Sequence, residues 1–137
     1  MNKEFNVIES LRLSSDYQSI AMIEKLIDKV CNNVGVNEDA YGNVLIAVTE
    51  AVNNAIQHGN KENGSLQIDV SVLDSTKSIC FSVKDEGPGF DFNNLPDPTA
   101  PDNLLKENGR GIFLMKNLAD KVEFLGEGNE VSLFFSK

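Results

Sequence analysis

A chain of 137 residues, 41% hydrophobic and 24% charged, suits one soluble globular domain that buries roughly two thirds of its unfolded surface. Its net charge of −9 excludes nucleic acid as an expected partner, because that binding rests on cations meeting phosphates, and no apolar run approaches the ~20 residues of a membrane span. The opening MNKEFNVIESLRL lacks the apolar core of a signal peptide, so the expected location is cytoplasmic, with Cys31 and Cys80 reduced and structural.

Phe5 to Leu13 alternates apolar and polar residues and predicts a strand, with Glu9 breaking the pattern. Ser14 and Ser15 are N-cap candidates for a helix over Asp16 to Asn33, whose Ile20, Ile23, Leu26, Ile27 and Val30 recur at helical spacing. Gly35 stops it. Asn37 caps a second helix, with Glu38 and Asp39 matching the positive end of its dipole. This helix runs to about His58, which is read as a C-terminal cap, and Gly59-Asn60 closes it.

On the second helix, Val44, Leu45, Val48, Ala51, Val52, Ala55 and Ile56 form one apolar face. Glu50 and Asn54, one turn apart, stack on the opposite face. Two readings stand for that pair: a carboxylate and a carboxamide that hold a metal ion and activate a nucleophile, or two solvated residues of an amphipathic helix.

A hairpin follows. Leu66, Ile68, Val70 and Val72 alternate with polar residues, Asp74 to Lys77 turn, and Ile79, Phe81 and Val83 alternate again. One apolar and one polar face suit an antiparallel sheet with helices on one side only. The same alternation places Asp85 on the core side, where a carboxylate needs a partner. Glu86 to Asn108 lacks periodicity, and a stretch of that length is a lid or disordered. Gly109-Arg110-Gly111 opens a helix with Ile112, Met115, Leu118 and Ala119 on its apolar face, and Val122 to Leu125 and Val131 to Phe135 form a closing hairpin across Gly126 to Glu130.

Three separated pieces stand out from plain scaffold: Glu50 with Asn54, the turn Asp85-Glu86-Gly87-Pro88-Gly89-Phe90, and Asn108-Gly109-Arg110-Gly111. Taken singly, the second is a tight turn or a ligand site, and the third a helix cap or a phosphate cradle. Together, Glu50-xxx-Asn54, Asp85-x-Gly87-x-Gly89 and Gly109-x-Gly111 resemble, in order, the N, G1 and G2 boxes of the GHKL ATPases. Within that superfamily, EAVNNAIQHGN and NLLKENGRGIFLMKNLAD look most like the bacterial anti-sigma-factor serine kinases.

The resemblance implies an α+β fold, a two-layer sandwich with a mixed sheet and helices on one face. It implies one histidine-kinase-like ATPase domain over residues 1–137, with an ATP lid at about 91–108. It assigns Asp85 to the adenine amino group, Gly89 to the base pocket, Gly87 to ATP binding, Asn54 to magnesium and Glu50 to the role of general base. Gly109 and Gly111 become amide donors to the phosphates, and Ser132 takes the place of a threonine near the adenine-binding aspartate. Lys106 and Arg110, at the lid's end, are phosphate contacts or solvated surface. The implied reaction is transfer of the ATP γ-phosphate to a serine of a STAS-type antagonist, in a partner switch with a sigma factor or other regulator and with a homodimer as the assembly. The alternatives are an ATP-gated module that sequesters a regulator, or a detached histidine-kinase catalytic domain. The last is disfavoured by the lack of a dimerisation helix bearing a phosphoacceptor histidine, and by Gln57, where many histidine kinases carry a basic residue.

Overall fold

The computed structural model describes residues 5–60, 63–88, 107–126 and 128–137, with the side chains of 107–110 outside that description. In chain order the elements are β1 (Asn6–Ser14), α1 (Ser19–Val34), α2 (Glu38–Asn54), a π-helical turn (Ala55–Gly59), β2 (Gln67–Asp74), β3 (Ser78–Lys84), α3 (Glu107–Leu118), β4 (Lys121–Leu125) and β5 (Glu130–Ser136). The strands form one five-stranded sheet in the order β1-β2-β3-β5-β4. Leu13, Ile68, Val70, Phe81, Val83 and Leu133 from its inner face join Ile23, Ile27, Val44, Val48 and Val52 from α1 and α2 in one buried cluster. Two layers with the helices on one side are therefore the architecture. The mixed sheet implied by the resemblance is corrected: every described strand pairing is antiparallel, in agreement with the alternation read from the residues themselves.

Local chemistry explains the element ends. Asn37 accepts a 2.8 Å hydrogen bond from the Asp39 amide and caps α2, and Gly35, at φ 73°, ends α1 in the left-handed region. Ser14 and Ser15 do not cap α1, which starts at Ser19. The Ser14 hydroxyl donates to Asp16, and Asp16 in turn accepts from the Gln18 amide, a side-chain turn that delays the helix. Ser15 is needed elsewhere: its hydroxyl donates to the Leu66 carbonyl. The break at Glu9 is a β-bulge between Val7 and Glu9. Beyond it Glu9 pairs with Val72 on the inner face, where Lys29 of α1 meets its carboxylate at 2.7 Å.

Asn60 is the junction that the sequence alone leaves unmarked. It is 2% exposed, and its amide nitrogen donates to the Ser15 hydroxyl at 2.6 Å and to the Gln67 carbonyl at 3.0 Å. Its side-chain oxygen accepts from the Glu86 amide at 2.8 Å, and its own backbone amide donates to the Ala55 carbonyl. One side chain thus ties the turn after β1, the start of β2 and the turn after β3 to the end of the α2 segment. Asn60→Ala leaves buried donors and acceptors unmatched, so a loss of about 2–4 kcal/mol is expected in urea unfolding. A loss below about 0.5 kcal/mol would show the junction to be redundant.

Candidate functional site

The end of α2 builds the site. After Asn54 the backbone widens into one π-helical turn, Ala55–Gly59, rather than continuing as α-helix to His58. Such turns insert a residue into a helix and gather at functional positions. Here the turn presses Gly59 against Asp85. A Cβ on Gly59 would lie 2.3 Å from the Asp85 carboxylate, and one on Gly87 would lie 2.0 Å from the Gly59 carbonyl oxygen. Neither position tolerates a side chain. Asp85 is further fixed by its own amide, which donates to the Asn129 carbonyl at 2.9 Å, and by the Gly87 amide, which donates to its Oδ1 at 2.8 Å. Burial raises the carboxyl above its usual range, and the hydrogen bond from Gly87 offsets part of that rise.

Gly59→Ala should therefore displace Asp85 while leaving most of the core intact. The expected result is loss of ligand binding at this carboxylate with a cooperative unfolding transition retained, read by calorimetry and denaturant titration. Unaltered binding would show that the contact relaxes harmlessly.

Asp85 lies in an open cleft between α2, α3 and the sheet. Val83, Ile112, Met115, Phe124 and Val131 give it apolar walls, and Asn54 and His58 line it from α2 and its π-helical turn. This suits a flat apolar ring with one polar edge. A second cavity, lined by Tyr17, Glu50, Asn53, Asn54, Gln57, Gly111 and Leu114, adjoins it through Asn54. The two meet where α3 crosses α2. A Cβ on Gly111 would lie 3.1 Å from a Glu50 carboxylate oxygen and 3.2 Å from both side-chain atoms of the Asn54 carboxamide. The missing side chain lets α3 close on that pair.

Oxygen donors of a carboxylate and a carboxamide, gathered at one end of a cleft whose other end is a half-buried aspartate, fit a magnesium nucleotide: hard oxygens suit the hard cation. The described residues hold no cluster of three or more His, Cys, Asp or Glu side chains for a metal, so the cation's remaining positions would fall to phosphate oxygens and water.

The structure thus brings Glu50, Asn54, Asp85, Gly87 and Gly111 to one groove. Gly89, Lys106 and most of the expected lid lie outside the described residues, as does the Arg110 side chain. The helix expected to open at Gly109 starts at Glu107. Gly109 then falls in the first turn, whose amides have no partners within the helix, and Gly111 lies one residue beyond it.

Ser132 requires a correction. It pairs with Ser82 on β3 and Glu123 on β4, with Val131 and Leu133 to either side buried on the inner face. Its side chain is consequently on the outer face, where it partly offsets the burial-driven rise of the Cys80 thiol. The polar residue that the sequence reading missed is Asn129, which lines the cleft and whose side-chain amide approaches the Asp85 carbonyl at 3.5 Å. The signal was available: strict alternation along Val131 to Phe135 puts Ser132 outward. His58, read as a cap, lines the cleft instead. Both thiols are buried and pushed up to about 11, which makes them inert at neutral pH, as structural cysteines should be.

The family model described as "Histidine kinase-like ATPase domain" matches residues 13–135. Serine-protein kinase RsbW of Bacillus cereus (strain AH820) is 30% identical over 132 residues, covering 91% of this chain and 81% of the relative. The protein of the same name from Bacillus anthracis (strain CDC 684 / NRRL 3495) matches to the same extent. Among solved structures, that of the RsbU and RsbW domains of Rv1364c from Mycobacterium tuberculosis aligns with a TM-score of 0.58 at 12% identity, a likeness of fold covering 94% of this chain and 32% of that one. No described helix is long and apolar enough to cross a membrane.

Proposed function

The chain belongs to the family of histidine kinase-like ATPase domains, and from that premise we propose that it is an ATP-dependent serine protein kinase of the partner-switching, anti-sigma-factor kind. The observation that carries the proposal is the packing of Gly111 against Glu50 and Asn54 at the junction of the two cavities. It sets a carboxylate beside the place where a nucleotide's phosphates would end if its base sat at Asp85. The 30% identity to serine-protein kinases over most of both chains supports the same reading.

In this reading Asp85 accepts a hydrogen bond from the adenine amino group, and the apolar walls cover the ring's faces. Gly87 and Gly59 leave room for that contact by having no side chains. Gly109 offers a free amide to the phosphates, and Asn54 would hold magnesium through its carboxamide oxygen. The bound ion supplies charge neutralisation on the phosphates. Glu50 takes the proton from the acceptor's serine hydroxyl. The serine oxygen bonds to the γ-phosphorus, the bond from that phosphorus to the β–γ bridging oxygen breaks, and ADP leaves with the bond's electron pair. The acceptor is an antagonist protein of the STAS type, whose phosphorylation frees or traps a sigma factor or other regulator.

The test is incubation of the purified chain with γ-labelled ATP, magnesium and the STAS-type proteins of its own organism. Label on a serine of one of them is the expected result. ATP binding and tight regulator binding without transfer to any of them would instead identify an ATP-gated sequestering module.

A further inference from the structure

Asp85 follows β3 directly, in a turn whose successive amides are all held. Its own N–H donates to the Asn129 carbonyl at 2.9 Å, the Glu86 N–H to Asn60 Oδ1 at 2.8 Å, and the Gly87 N–H to Asp85 Oδ1 at 2.8 Å. The middle bond belongs to a closed ring. Asn60 Nδ2 donates to the Gln67 carbonyl at 3.0 Å, the Gln67 amide donates to a carboxylate oxygen of Glu86, and the Glu86 amide returns to Asn60. Asn60 is buried in this ring, and Glu86 is exposed. An exposed carboxylate exchanges water for one amide with little net gain in stability. What the exchange does secure is the position of residue 86.

We infer that Asn60 and Glu86 are positioning residues for base recognition: their ring fixes the peptide between Asp85 and Glu86, and with it the direction in which the Asp85 carboxylate meets an adenine amino group. The inference rests on the reading of Asp85 as the adenine contact. Oδ1 of that carboxylate already accepts from the Gly87 amide, so its aim follows the backbone of residues 85–87. A hydrogen bond weakens steeply as its angle closes, and a recognition site has to hold its groups within about 0.5 Å. With the ring opened, the Glu86 amide turns to water, the peptide swings, and the carboxylate swings with it. The loss falls on the one contact that depends on aim. Burial of the purine ring against Val83, Ile112 and Met115 is non-directional and survives. The ring therefore acts on selectivity for the 6-amino group more than on affinity for nucleotides in general.

The experiment titrates the full chain, in magnesium and by calorimetry, with ADP and with purine riboside diphosphate, which differs only in lacking the 6-amino group. Wild type should prefer ADP by at least about tenfold, the worth of a charge-assisted hydrogen bond. Asn60→Ala and Glu86→Ala should each cut that preference below about threefold. Glu86→Gln, whose side-chain oxygen can still accept from the Gln67 amide, should keep it within about twofold of wild type. Ser15→Ala serves as the stability control. It removes a partner of the donor side of Asn60, so it should lower the urea midpoint and leave the preference intact. No preference in wild type refutes the adenine contact and the inference with it. A wild-type preference that survives in either folded alanine variant refutes the inference alone. So does its loss in Glu86→Gln, which would make charge the cause, or in Ser15→Ala, which would make general destabilisation the cause. Should Asn60→Ala fail to fold, the two Glu86 variants decide between the same outcomes.

Discussion

Replacing Glu50 with alanine should lower phosphate transfer at least about a hundredfold while ATP affinity stays within about threefold of wild type. The first half follows from position. Glu50 lies on the polar face of α2, Gly111 of α3 closes against it, and the groove before it opens outward. A general base contributes roughly a hundred- to ten-thousandfold, and a serine hydroxyl is a poor nucleophile without one. The second half follows from separation: Glu50 lines the outer cavity, whereas Asp85 and the apolar walls line the inner one. Glu50→Gln keeps the shape and removes the basicity, so it should fall nearly as far. The measurement is single-turnover label transfer beside calorimetric ATP titration. Retained transfer in either variant sinks the base assignment, and loss of ATP binding in both would make Glu50 a binding residue.

Asp85→Asn should act in the opposite sense on two observables. Nucleotide affinity should fall about ten- to a hundredfold, the worth of a charge-assisted hydrogen bond to the adenine amino group. The nucleotide-free fold should gain stability. The carboxyl is raised above 3.8 by burial, so ionising it is harder in the folded protein than in the unfolded chain. As pH rises from below 3.8 through that raised value, the wild type loses stability, and above it the loss is complete and constant. Asparagine never ionises, and its oxygen can still accept from the Gly87 amide. The variant should therefore melt above the wild type at neutral pH, with the gap closing as pH falls below about 4. Unchanged ATP affinity refutes the adenine contact. A lower melting temperature at neutral pH refutes the account of the carboxylate as a cost borne for binding.

Much of this molecule is legible from pattern. Period-two alternation gives the strands and the inward direction of Asp85, and period-3.6 spacing gives α1 and α2 with Asn37 and Gly35 at their ends. What pattern misses is long-range. Asn60 looks like a helix terminator, and nothing local reveals that Ser15, Gln67 and Glu86 converge on it across the fold. Ser14 and Ser15 have the composition of caps, but Asp16 and Leu66 bind their hydroxyls. Ser132 failed for another reason: the role carried over with the resemblance overrode the alternation, which had its side right. The site's spacing was legible as three boxes, whereas their closure depends on Gly59 and Gly111 packing against distant carboxylates and amides.

The π-helical turn makes the length of this segment as binding as its composition. Removing one residue between Asn54 and Gly59 would let the helix rewind to α geometry and turn everything after it by about 100°. His58 would leave the cleft wall and Gly59 would no longer lie beneath Asp85. Alignments that place a gap here assert a different pocket, whatever identities they preserve on either side.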